Sequence, residues 1–317
     1  MLSDNINFSV AVVIPTLNAE NFLDQQLQSL SLQTHQPSEI WVIDSESTDL
    51  TRSIAEKWNV NFIAIDRSTF DHGATRNYGL KQTKADFVLF LSQDALPTPS
   101  LIENLCAVFM TDSQVAAAYA RQIPYDTACI TEKLTRRFNY PSEPSIRTYR
   151  DKETLGIKTF FLSDVCSIYR RTVFEEVGGF HSPILTNEDM LMAATLLSNG
   201  YKIAYQSNAE VFHSHNFTLK EHYKRNFDIG AFLTMYASTF QVESETGEGI
   251  KMAKMITREL LKKFKLVSLL KWLMICFAKY LGNRAGHHYT SYSLNAILKR
   301  SNNKNYWIRQ YQSSGLS

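Results

Sequence analysis

Residues 85–97 read ADFVLFLSQDALP. Phe87–Leu91 is an uninterrupted apolar run of strand length, followed at once by Ser92-Gln93-Asp94 and a turn at Pro97. That combination predicts a buried strand with one carboxylate at its tip. Earlier residues repeat the form. Ser9–Ile14 is apolar and β-branched, and Pro15 is expected to stop it. Phe22, Leu23, Leu27 and Leu30 then recur at helical spacing. EIWVID (39–44) is a second strand. After it Ser47 offers a helix N-cap, Asp49 favours the first turn, and Leu50, Ile54 and Trp58 make one stripe. Phe62–Ile65 is a third strand, and Thr75–Lys84 a short helix leading into Phe87–Leu91. Strand and helix alternating at this pace predict an α/β fold, a mainly parallel Rossmann-like sheet flanked by helices. Ligands then bind beyond the carboxyl ends of the strands. Those ends hold Pro15-Thr16-Leu17-Asn18, Asp44-Ser45-Glu46-Ser47, Phe70–Asn77 and Gln93-Asp94. No GxGxxG or GxxxxGK[ST] accompanies them, so neither a dinucleotide fingerprint nor a P-loop is indicated.

The totals agree with an ordered protein. The 317 residues are 44% apolar and 20% charged with a net charge of +2, enough to bury a core. The start, MLSDNINFSVAVVIPTLN, has an acid where a leader's basic region would sit, so no signal peptide is expected. No stretch reaches the roughly 18 uncharged apolar residues of a spanning helix. Cys106, Cys129, Cys166 and Cys276 are widely spaced, which predicts free thiols in a reducing cytosol rather than a zinc site.

Beyond residue 115 the pattern loosens. Ala116–Arg121 and Phe160–Tyr169 read as strands, and 122–158 as a loop-rich insert. Thr186-Asn187-Glu188-Asp189 opens a helix closed by Asn199-Gly200. Lys202–Tyr205 and Glu210–Phe212 are two short strand candidates, the second ending in His213-Ser214-His215. Residues 251–285 hold nine Lys or Arg against one acid, Glu259, interleaved with apolar residues, and read as basic helices.

Each candidate residue has a plain structural reading beside a chemical one. Asp94 is a turn or cap residue, or a ligand for Mg²⁺ or Mn²⁺ completed by a diphosphate. With Thr186 as N-cap, Asp189 falls at N3 and helps the helix start; otherwise Asp189, beside Glu188, is a general base. His213 and His215 point to opposite sides of an extended chain, so one of them at most is expected to be a ligand. Arg76 is a surface residue or, after Gly73 and beside Asn77, an anion clamp.

Taken in order, VVIPTLN (12–18), VIDSESTD (42–49), ATRNYG (74–79), LSQDA (91–95), VGGF (177–180), NED (187–189) and VFH (211–213) resemble the family 2 glycosyltransferases, inverting enzymes of GT-A fold. FDHGATRN (70–77), LSQDA and HSHNFTLKEHYKRNFDIG (213–230) are similar to bacterial rhamnosyltransferases that use dTDP-L-rhamnose. The resemblance implies nucleotide-sugar binding by Pro15, Thr16, Asn18, Asp44, Ser47, Gly73, Arg76, Asn77 and Gln93. It implies a metal, Mg²⁺ or Mn²⁺, on Asp94 with His213 in preference to His215. It implies a catalytic base at Asp189 with Glu188 beside it. Two departures stand out: Ser92-Gln93 precede Asp94 where the family usually has another acid, and Ile43-Asp44-Ser45-Glu46-Ser47 replaces VDDGS.

The expected division is a GT-A catalytic domain over 1–225, with a nucleotide half to about 95 and an acceptor half from about 96, then a basic helical region over 226–317. The implied donor is a dTDP-sugar. The implied acceptor is a saccharide, carried in many bacterial relatives on a polyprenyl diphosphate, in O-antigen or capsule synthesis. Residues 251–285 suit an anionic membrane surface, a helical cap on the catalytic domain or a homo-oligomer contact. The expected place is the cytoplasm, peripheral on the inner face of the cell membrane. Competing readings are transfer of galactose, glucose or N-acetylglucosamine from a UDP donor, and a non-catalytic nucleotide-sugar binding module. No nucleic-acid motif appears.

Overall fold

The computed structural model describes residues 8–242 and 247–313, so part of the start on which no signal peptide was expected, residues 1–7, lies outside the described residues. Among the described residues one sheet contains β1 (Val10–Thr16), β2 (Glu39–Asp44), β3 (Asn61–Ala64), β4 (Phe87–Leu91), β5 (Leu96–Pro97), β6 (Val115–Ile123), β7 (Ser145–Arg147), β8 (Cys166–Arg170) and β9 (Lys202–Phe212). Their order is β3-β2-β1-β4-β8-β6-β9-β5, with β7 also paired to β9. The first four strands are parallel. β8 then enters antiparallel to both β4 and β6, and β9 runs parallel to β6. Parallel pairing therefore governs only the first half.

β1 shows why the first half folds as read. Val10–Ile14 are fully buried, because helices cover both faces of a parallel sheet. Val10, Val12 and Ile14 pack with Leu23, Leu27 and Leu30 on one face, while Val13 packs with Ile43 and Phe90 on the other. Pro15 does not stop the strand, which runs on to Thr16. The ladder with β4 ends at Val13–Phe90, so Pro15 is paired on one side only, where a missing N–H is tolerated.

Four local expectations give way to tertiary pairing. Residues 122–158 hold the Ile130–Asn139 helix, β7 and a helical turn at Lys152–Leu155 rather than a loop-rich insert. Phe160 ends a 3₁₀ turn, and β8 begins only at Cys166. The two strands expected between 202 and 212 are one strand, β9, whose register against β6 jumps from Ala120–Gln206 to Arg121–Glu210. The helix after β2 starts at Thr51 without Ser47 as its cap.

The four cysteines are free thiols. The Leu219–Met235 helix runs through residue 225 and packs along the Leu266–His287 helix. Glycines set that crossing: a Cβ on Gly230 would meet the Asn283 carbonyl at 2.3 Å, and one on Gly286 the Phe227 carbonyl at 2.1 Å. Trp272, Ile256 and Leu260 are buried with Leu134 of the Ile130–Asn139 helix, so the basic region does pack on the sheet domain. The opposite side of the Leu266–His287 helix exposes Leu266, Val267, Leu270, Leu273 and Phe277. Contrary to the sequence reading, this helix is long and apolar enough by length and composition to cross a membrane.

Candidate active site

The sheet delivers its polar residues to one edge. Thr16 and Asp44 are register partners at the ends of β1 and β2. Thr16 Oγ1 donates to Asp44 Oδ1 at 2.8 Å, and the Ser47 hydroxyl and N–H donate to the same carboxylate at 2.6 and 2.8 Å. Ser47 Oγ accepts from the Asn18 N–H at 2.7 Å, and Asn18 holds a left-handed φ of 51°. Asp44 is thus buried with both oxygens occupied. Gln93 grips the Leu17 peptide at both ends, accepting from its N–H at 2.8 Å and donating to its carbonyl at 3.2 Å. A pocket of about 340 Å³ opens above this floor, lined by Pro15, Thr16, Gln93, Asp94, Arg76 and, from the far end of the chain, Asn305.

The FDHGATRN segment does other work. Asp71 caps the His72–Lys81 helix through the Gly73 and Ala74 N–H groups and accepts from the Ile184 N–H at 2.9 Å. Asn77 accepts from the Phe180 N–H at 2.9 Å and donates to the Phe180 carbonyl at 2.8 Å. A Cβ on Gly73 would meet the His181 carbonyl at 2.2 Å. The close approach at Gly73 is therefore to the chain's own backbone. Asp71, Gly73 and Asn77 hold the 180–184 loop that leads to Glu188 and Asp189.

Arg76 is buried, not a surface residue. Its guanidinium sits 3.0 Å from Glu188 and 3.6 Å from Asp164. Asp164 was not singled out from sequence. β8 runs antiparallel, so its beginning, not its carboxyl end, shares an edge with the tips of β1, β2 and β4, and Leu91 pairs with Cys166. The rule of strand carboxyl ends passes over such a residue. The available signal was a polar pair, Ser163-Asp164, between an apolar run and a strand. Asp164 accepts from the Tyr169 hydroxyl at 2.7 Å and from Ser167. Burial raises its carboxyl to about 6, opposed by Arg76 and reinforced by Glu188.

Asp189 accepts from the Asp164 N–H at 3.1 Å and the Met190 N–H at 2.7 Å. Burial, then Asp164 and Glu188, hold its carboxyl well above the usual range. Thr186 is not the cap of this helix: Asn187 occupies that place with φ of 57°, and Asp189 is the second residue of Glu188–Ser198. The αL turn at Asn187 turns the chain sharply into that helix.

His213 and His215 both meet Asp94, contrary to the expectation that only one could. β9 ends at Phe212, so the two rings lie beyond the extended chain and pack edge to face at 4.6 Å. His213 Nε2 is 3.5 Å from Asp94 Oδ1, and His215 Nε2 is 3.2 Å from Oδ2. Burial raises the Asp94 carboxyl, but when His213 and His215 are protonated their hydrogen bonds outweigh it and hold it well below the usual range. Gln122 Oε1 faces the Arg136 guanidinium and His213 Nδ1, the latter at 2.9 Å. A carbonyl oxygen only accepts, so Nδ1 carries the proton and neutral His213 turns the Nε2 lone pair toward Asp94. Burial disfavours the imidazolium. Two acceptors facing each other suit a cation, and second-layer orientation by Gln122 is typical of metal-ligating histidines. Asp94, His213 and His215 can therefore hold a divalent ion, their ligand atoms lying within 4.8 Å of one another.

Asp94, Arg76, His72 and Ser92 also line a second, larger cleft of about 630 Å³ with Asp164, Glu188, Asp189, His213 and His215. The candidate cation site thus lies where the two spaces join, with carboxylates further along.

Comparison with known proteins identifies the family and the fold. Residues 11–178 match Glycosyl transferase family 2. The chain is 39% identical over 314 residues to the O-antigen chain rhamnosyltransferase WbaN of Salmonella anatum, covering 96% of this chain and 98% of that one. It is 38% identical, with the same coverage, to the O-antigen chain rhamnosyltransferase RfbN of Salmonella typhimurium strain LT2. In fold it is similar to Staphylococcus aureus TarS 1–349, with TM-score 0.56, 18% identity, and 96% and 92% of the two chains covered. It is equally similar to the mannosyltransferase PcManGT of Pyrobaculum calidifontis, solved with GDP-Man and Mn²⁺, with TM-score 0.56, 16% identity, and 98% and 81% covered.

Proposed function

Because this chain belongs to glycosyl transferase family 2, a family of inverting enzymes, we propose that it moves L-rhamnose from dTDP-L-rhamnose to a hydroxyl of a lipid-linked saccharide in bacterial surface-polysaccharide synthesis. The observation that carries this reading is the 39% identity to an O-antigen chain rhamnosyltransferase across 96% of the chain. The nucleoside sits over Thr16, Asn18, Asp44 and Ser47, and the diphosphate extends toward Asp94.

The acceptor hydroxyl oxygen bonds to the anomeric carbon as the bond from that carbon to the diphosphate oxygen breaks, through an oxocarbenium-like state. Asp189 takes the hydroxyl proton, and dTDP leaves with the bonding electrons. A carboxyl pushed upward by burial is a stronger base once ionised, which suits that role. Arg76, fixed by Glu188 and Asp164, lines both spaces and holds positive charge beside the departing diphosphate. Inversion yields an α-rhamnoside from a β-linked donor. A divalent ion on Asp94, His213 and His215 would offset charge on the leaving group. Two imidazoles beside one carboxylate suit Mn²⁺ better than Mg²⁺, which prefers an all-oxygen shell.

The exposed apolar side of Leu266–His287, with Lys262, Lys263, Lys265 and Lys271 near it, supports peripheral docking on an anionic, cytoplasmic leaflet. Its other side is occupied by the Leu219–Met235 helix, which favours lying flat over spanning.

The test is product analysis. The full chain is incubated with dTDP-L-rhamnose, UDP-galactose, UDP-glucose or UDP-N-acetylglucosamine and a set of lipid-linked acceptors. Transfer and slow hydrolysis confined to dTDP-L-rhamnose are expected. Preference for a UDP-sugar would overturn the donor assignment, and binding without turnover of any donor would favour the non-catalytic module.

A further inference from the structure

The cleft that holds the buried carboxylates also gathers three cations. Arg136 comes from the Ile130–Asn139 helix, Arg225 from Leu219–Met235 and Lys279 from Leu266–His287, and all three line the same space as Asp94 and Asp189. Three separate elements converge there, so the group is not the by-product of one basic helix. A single acid, Glu132, joins them, and it is engaged by Arg136 at 2.7 Å. Among the described residues no carboxylate pairs with Arg225 or Lys279 within 4.0 Å. Instead the Arg225 guanidinium lies 4.7 Å from the centre of the Phe217 ring, and the Lys279 amine 5.8 Å from that of Trp272. Aromatic faces steer these heads without neutralising them.

The cations bear on one another. Burial, then Lys279, push His222 down to about 4 despite Glu132, and Arg225 adds to the shift. Burial also lowers Lys279, opposed by Cys276 and Glu132, with Arg225 and Arg136 adding smaller shifts downward. Like charges gathered in a half-enclosed cleft are unfavourable until an anion enters.

Two features select the anion. The diphosphate of the donor already has Asp94 and its histidines, reached from the pocket over Thr16. Lys279, by contrast, belongs to the helix whose outer side exposes Leu270, Leu273 and Phe277, so this helix carries both a cation of the cleft and the apolar face. We propose that Arg136, Arg225 and Lys279 form a second anion site that takes the diphosphate joining the acceptor saccharide to its lipid. This rests on the transferase reading above. The lipid leaves along the apolar face, and the saccharide points back toward Asp189. Arg and Lys together match such an anion, the guanidinium as a fork and the ammonium as a point charge.

The test uses the full chain saturated with dTDP and a divalent ion, so that the donor site is filled. Inorganic pyrophosphate and geranyl diphosphate are titrated in by calorimetry. One further diphosphate per chain is expected to bind, at least about tenfold more weakly in Arg225→Gln/Lys279→Gln, with dTDP affinity kept within about twofold. Lys279→Arg, which keeps the charge, must retain binding, and this separates charge from folding. Tighter binding of geranyl diphosphate than of pyrophosphate supports the lipid-linked source; equal or weaker binding overturns it. Pyrophosphate that binds only by displacing dTDP, or that binds the double variant normally, overturns the site itself. Those results leave donor selectivity untouched, whereas failure of the rhamnose assignment leaves this titration intact.

Discussion

The walls of the two joined spaces are built by opposite means. The wall formed by β1, β2 and β4 is organised by short hydrogen bonds around one carboxylate, Asp44, with Gln93 clamping the Leu17 peptide. The wall around β8 and the Glu188–Ser198 helix buries two carboxyls, Asp164 and Glu188, and half-buries a third, Asp189, against one guanidinium, Arg76. The first arrangement satisfies the Asp44 carboxylate and the Gln93 amide, leaves the neutral Ser45 hydroxyl without a partner among the described residues, and fixes a shape. The second leaves charge imperfectly matched: 3.6 Å apart, Asp164 Oδ2 and Arg76 Nε have no hydrogen-bond partner among the described residues. A rigid, satisfied surface suits recognition of a constant nucleotide. A surface held out of electrostatic balance suits a step in which a proton moves.

Substitutions can break or sharpen that contrast. Asp189→Asn keeps shape and removes the proton acceptor, so kcat is expected to fall by about 10³-fold while dTDP affinity and melting temperature stay near wild type. Transfer at an ordinary rate would show that the imbalance around Asp189 has no chemical role. Asp94→Ala, at the junction of the walls, should lower kcat/KM by about 10²-fold and shift the metal-titration midpoint upward. An unchanged metal response would reduce Asp94 to a turn residue.

Effects on stability are smaller. Asp228, on the Leu219–Met235 helix, accepts from the Asn302 N–H at 2.9 Å, and burial raises its carboxyl from 3.8 to about 6. The native chain therefore holds that proton more tightly than the unfolded one, and stability is lost as pH rises through this window. Asp228→Asn should remove about 2 kcal/mol of that loss between pH 4 and 7, measured by urea unfolding at each pH. An unaltered slope would assign the pH dependence elsewhere, Asp164 being the next source. Gln93→Ala removes both bonds to Leu17 and should destabilise by about 1 kcal/mol. A larger rise in the KM for donor than in urea sensitivity would show that this clamp serves recognition more than folding.

Legibility followed the same division. β2 and β4 have the bounds their sequences predict, and Asp94 stands at its expected strand tip, because parallel βα units declare themselves through apolar runs and helical stripes. Asp164 was not legible as a site residue, since reading it requires knowing that β8 is antiparallel. His215 was set aside on the assumption of an extended chain, which ends at Phe212. Gly73 and Asn77 read as ligand-facing, but their contacts are with His181 and Phe180, about a hundred residues away.

By itself the sequence determined the parallel half, its polar strand tips and the family, because these depend on periodicity and short motifs contained within about twenty residues. Tertiary structure alone decided the rest: the strand direction that brings Asp164 beside Arg76, the joint approach of two histidines to Asp94, and the convergence of Arg136, Arg225 and Lys279. Each depends on where distant segments meet, and charge acts through space on whatever lies near it, whatever the separation along the chain.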